Sequence, residues 1–125
     1  MSETSSSCLT LGRIAATLGV SDIARASSLY RSVFGLEKVF ENGNPVGFVI
    51  LQKDDAELHL TLQKNYKAPP FNQAHIMVSD AAVALRACED NKLRIVKRLQ
   101  NKDYGLRAFV FEDPDGNRID VGQAI

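Results

Sequence analysis

A chain of 125 residues suits one domain, or two small halves that share a core. Hydrophobic residues make up 45% and charged residues 24%, with 15 cations against 15 carboxylates, so no strong field is present to draw nucleic acid or an anionic membrane. Cys8 and Cys88 have no metal-ligand spacing and are expected to be free thiols; no apolar run approaches the roughly 20 residues of a membrane span, and "MSETSSSC" lacks the basic and apolar regions of a signal peptide, so the expected compartment is the cytoplasm.

In chain order, residues 1–10 are expected to be a disordered leader. Ile14 to Val20 reads as a strand, and Asp22 as the N-cap of a helix with Ile23, Ala26, Leu29, Tyr30 and Val33 as its apolar stripe, ended by Gly35. Strands follow over Leu36–Glu41, Val46–Gln52 and Glu57–Gln63, the first two joined at Asn42-Gly43, a hairpin signal. "KNYKAPPFN" is a linker, since Pro69-Pro70 suits neither helix nor central strand. A strand over Gln73–Val78, a helix over Asp80–Asn91, strands over Leu93–Leu99 and Leu106–Glu112, the turn "DPDG" and a last strand from Asn117 to Gly122 complete the chain.

One pattern is written twice. Val20-Ser21-Asp22 recurs as Val78-Ser79-Asp80, each at the end of a strand and the start of a helix, and "FVILQKDDAELHL" aligns with "FVFEDPDGNRIDV". The predicted fold is α+β: two βαβββ modules, at 11–63 and 73–123 with a linker at 64–72, each a curled mixed sheet with its helix on the convex side. Halves of about 60 residues bury too little alone, so they should pair into one structural domain, 11–125.

Alternation sorts the strands by face. Leu58, Leu60, Leu62, Ile119 and Val121 belong to the helix side; Glu57, His59, Thr61, Arg118 and Asp120 to the concave side. With Thr17, Gln73 and His75 on that same side, and Val49 and Val110 placed there by the repeat, the concave surface reads as a candidate ligand pocket; a solvated sheet face is the simpler alternative. Tyr66, Phe71 and Tyr104 could edge such a pocket or merely anchor loops. Asp113, Asp115 and Asn117 mimic the opening of a calcium loop, but Arg118 and Ala124 stand where that loop needs glycine and glutamate, so "DPDG" is a tight turn.

"VSDIARASSLYRSVFGLE" and "FVFEDPDGNRIDVG" resemble the opening strand–helix unit and the closing hairpin of the vicinal oxygen chelate superfamily, which contains glyoxalase I, bleomycin and fosfomycin resistance proteins and extradiol dioxygenases. The resemblance spans residues 12–123 and implies the same paired modules. In the metal-dependent members, four ligand places come from the first and last strands of each module, which here are Ala15, His59, Gln73 and Asp120. Ala15 has no donor atom, Gln73 stands where histidine is usual, and His75 lies roughly 6.8 Å further along its strand.

The resemblance is therefore closest in character to the branch without metal, in which a homodimer sequesters a small organic ligand in crevices between chains and confers antibiotic resistance. The expected function is ligand binding without catalysis or cofactor; zero net charge does not favour a strongly cationic ligand. The alternatives are a divalent-metal-dependent lyase, isomerase or thiol transferase using His59 and Asp120, an acid–base couple of those two residues, and a structural module with a filled concavity.

Overall fold

The order β1 (Ala16–Val20), α1 (Ile23–Phe34), β2 (Glu37–Asn42), β3 (Phe48–Lys53), β4 (Ala56–Leu62), β5 (Asn72–Met77), α2 (Ala81–Asp90), β6 (Arg94–Asn101), β7 (Leu106–Glu112) and β8 (Arg118–Ala124) writes βαβββ twice. This computed structural model describes residues 8–125, and the leader expected to be disordered falls largely on residues 1–7, outside them. The sheets run β1-β4-β3-β2 and β5-β8-β7-β6, with β1/β4 and β5/β8 parallel and the other pairs antiparallel.

Local chemistry explains the helices. Asp22 and Asp80 sit in extended backbone and accept helix N–H groups, Asp22 from Arg25 and Asp80 from Ala82 and Val83. Gly35 ends α1 with φ +76°, where a side chain would be strained, and its N–H closes onto Arg31. Tyr30 and Val33 of α1, and Ala84 and Cys88 of α2, are buried against the sheets.

The strands differ from expectation at their ends. Ile14 is almost fully exposed and lies before β1, because β1 first pairs with β4 at Ala16 opposite Leu58. The β2–β3 connection takes up residues 43–47, with a cis Asn44–Pro45 bond and the Gly47 N–H closing onto the Asn42 carbonyl. β8 continues to Ala124, which pairs with Leu106.

Leu18, Val20, Leu58 and Leu60 of the first module and Phe109, Phe111, Ile119 and Val121 of the second form one hydrophobic cluster, with the two helices in contact. Phe34 of α1 lies 6.0 Å, centroid to centroid, from Phe111 of β7. The helix-covered faces thus share a core, and each sheet turns its polar face away from it.

The turn after β7 clasps the modules together. Asp113 accepts from Tyr30 Oη at 2.8 Å, from Asn117 Nδ2 at 3.0 Å and from the backbone N–H groups of Asp115 and Asn117. Asn117 donates to the Gly19 carbonyl of β1 and accepts from Tyr66 Oη. Asp115 accepts from the N–H and hydroxyl of Ser21. The ring of Tyr66 lies on Gly19, where a Cβ would come within 2.3 Å of it. This tight turn fastens β1, α1 and the linker to the second sheet, and Tyr66 is a loop anchor.

Candidate functional site

On the first polar face, Thr17 pairs with His59 across β1/β4, and Ile50 stands opposite His59 on β3. His59 Nε2 is 2.6 Å from Glu57 Oε2. Glu57 also accepts from Gln52 Nε2 at 2.7 Å and from Arg13 Nη1 at 3.1 Å. The His59 contact, followed by the Gln52 bond, holds the Glu57 carboxyl below its ordinary range. The Phe48 ring meets His59 edge-on at 5.4 Å, and Phe40 meets Phe48 edge-on at 6.3 Å.

On the second polar face, His75 lies opposite Asp120, with Nδ1 2.7 Å from Oδ2, while His75 Nε2 is 3.2 Å from Met77 Sδ. Val110 stands opposite both Asp120 and Lys97. A small hollow of about 100 Å³ opens here, lined by Lys97, Lys102, Tyr104, Val110 and Asp120 among others. Arg94 and Arg118 both approach Glu112 at about 3.4–3.5 Å.

The register corrects one site residue. Val49 was expected on the polar face but pairs with Leu60 and is buried in the core cluster. The repeat equates Val49 with Val110, yet Val110 faces Asp120. The hairpins differ by one residue in register, and in a strand one residue reverses the face. Ile50 takes the position assigned to Val49.

Gln73 sits at an irregularity where the β5/β8 register shifts between Asn72 and Ala74. Its Oε1 accepts from the Arg118 N–H at 2.8 Å and its Nε2 donates to the Pro69 carbonyl at 3.4 Å. Gln73 and His75 line a cleft of about 580 Å³ at the module seam, together with Ala15, Glu57 and Met77. His59 and Asp120, expected as a possible couple, are instead bonded to Glu57 and His75 within their own sheets.

These residues do not fit the divalent metal that the fold implies. Ala15 offers no donor, the Gln73 carbonyl oxygen is taken by Arg118, and His59 and Asp120 are engaged by Glu57 and His75. Among the described residues, no three His, Cys, Asp or Glu side chains are grouped to hold an ion. No chemical step through a metal follows from this chain.

Phe40, Phe48, Ile50 and Lys97 on the polar faces, and Lys102 at the hollow, were not anticipated there. The unbroken apolar run Phe48–Leu51 conceals which residues face out. The cations in and flanking β6 carried a signal, since Lys92, Arg94, Lys97, Arg98 and Lys102 crowd "NKLRIVKRLQNK". The balanced total charge hid it.

Comparison with known proteins agrees with the paired modules. Residues 10–121 match the model of the glyoxalase/bleomycin resistance protein/dioxygenase superfamily, and the chain belongs to that superfamily. A superfamily member from Sphaerobacter thermophilus is similar at 26% identity and a TM-score of 0.74, over 92% of this chain and 98% of that one. A bleomycin-binding protein solved with bleomycin is similar at 21% identity and a TM-score of 0.73, over 93% and 100%. The fosfomycin resistance protein FosX from Listeria monocytogenes is similar at 12% identity and a TM-score of 0.77, over 94% and 96%. No curated protein sequence matches significantly.

Proposed function

We propose that this protein binds a small organic molecule, without a catalytic metal, in a crevice where the first polar face of one copy meets the second polar face of another. The observation that carries this reading is the direction of the faces. Both turn away from the shared core, so each is one wall lacking its opposite. Both expose apolar surface, with Phe40 50% and Met77 51% accessible. Thr17, Ile50 and His59 belong to one wall; Gln73, His75, Val110 and Asp120 belong to the other. Membership of the superfamily and the fold shared with a protein that binds bleomycin support sequestration, and with it a resistance role. The proposed compartment is the cytoplasm; among the described residues no helix is long and apolar enough to cross a membrane.

A second reading rests on the His75–Asp120 pair. A carboxylate on Nδ1 fixes the imidazole, and Nε2, whose neighbour is the weakly bonding Met77 sulfur at 3.2 Å, is the atom that would exchange a proton with a bound molecule that displaces that contact.

Light scattering and elemental analysis on protein purified without a histidine tag test the main reading. A dimer without stoichiometric divalent metal is expected. Stoichiometric metal that is lost on His59→Ala would overturn it, and a monomer at micromolar concentration would remove the second wall.

A further inference from the structure

We infer that the ligand of this crevice is a planar aromatic acid, and this rests on the two-wall reading above. The first wall supplies the aromatic platform. Phe40, Phe48 and His59 form an edge-to-face ladder across three strands, with centroid separations of 6.3 and 5.4 Å. Such a ladder offers ring surface to a flat ligand at little cost in side-chain freedom.

The charge preference follows from which groups are already matched. On the first wall, the Glu57 carboxylate is occupied by His59, Gln52 and Arg13. On the second, Asp120 is engaged by His75, and Glu112 is shared by Arg94 and Arg118. These carboxylates have little left to offer a cation. Lys97 and Lys102, which line the hollow beside Val110 and Asp120, have no carboxylate within salt-bridge distance among the described residues. The hollow sets two ammonium groups against one carboxylate, Asp120, which His75 already engages, so the balance there favours an incoming acid over an incoming cation. Tyr104, 71% exposed at the same hollow, adds a hydroxyl and a ring at its rim.

Three isosteric probes separate charge from shape: naphthalene-2-carboxylate, naphthalene-2-carboxamide and protonated 2-naphthylmethylamine, titrated calorimetrically into the full-length protein. The carboxylate is expected to bind about tenfold more tightly than the ammonium probe, and to lose that advantage at high salt. The double variant Lys97→Ala/Lys102→Ala should erase the preference, bringing carboxylate affinity down to that of the carboxamide. Phe48→Leu should weaken all three. Equal or tighter binding of the ammonium probe, or a preference that survives the double variant, would overturn the aromatic-acid inference while leaving the crevice intact. Failure of every probe to bind a protein shown to be dimeric would sink the inference and count against the crevice as well.

Discussion

Asp113 shows how one residue can outgrow its local role. A turn aspartate usually caps one or two backbone N–H groups, and this one also receives the Asn117 amide of its own turn and the Tyr30 hydroxyl from across the module seam. Burial pushes its carboxyl above the ordinary range, against the pull of those donors. Burial, then the neighbouring Asp113 charge, raises the Tyr30 phenol well above its usual value. Replacing Tyr30 by Phe removes one donor from a buried carboxylate and should cost about 1–3 kcal/mol, read as a lower urea midpoint. Cys88 offers a second check at this scale. Its thiol is buried and pushed up to about 12, first by desolvation and then by Glu89, whereas Cys8 is exposed. Ellman's reagent at pH 8 should therefore titrate one thiol in the folded protein and two after denaturation.

Elements were legible wherever a local signal had only one physical solution. Asp22, Asp80 and Gly35 marked helix ends because caps demand those residue types, and the structure uses all three. Asp80→Ala, which frees two N–H groups of α2, should cost about 1 kcal/mol of stability in chemical denaturation. Strand faces were legible where apolar and polar residues alternate, as in "ELHLTLQ", where Leu58 and Leu60 are buried and His59 is not. They were illegible in β3 and β7, whose apolar runs carry no period. There the face depends on hairpin register, a property of two strands and their loop, and a repeat aligned on one strand misplaced Val49. The clasp was illegible for a similar reason. Asp113 meets Tyr30 across 83 residues, and nothing local to either announces the other. Glu57 can be tested at this scale too. A carboxyl held below its unfolded value stabilises the fold above about pH 4, and that contribution is lost as pH falls through the lowered value. Glu57→Gln should therefore flatten the acid-side decline in stability, measured as thermal midpoint from pH 7 to pH 3.

For the whole molecule, the decisive fact is that the repeat in the sequence is not a repeat in stability. Each module has its own sheet and helix, but the apolar faces form one cluster, and Phe34 reaches the second sheet. A module cut free would expose Leu18, Leu58 and Leu60, or Phe109, Phe111 and Ile119, on a domain too small to tolerate the loss. The clasp adds directional bonds at the same seam through Asn117, which is fully buried and joined to Gly19, Asp113 and Tyr66. Full-length protein should therefore unfold in a single transition by fluorescence and by far-ultraviolet circular dichroism. Fragments 1–66 and 67–125 should each lack a cooperative transition, and mixing them should restore native dichroism. Asn117→Ala in the second fragment should weaken that reassembly by at least about tenfold, since about 1.4 kcal/mol suffices and two or more buried polar groups lose their partner. A fragment that melts cooperatively alone, or reassembly indifferent to Asn117→Ala, would mean that each module is held by its own sheet and the seam merely joins two finished units.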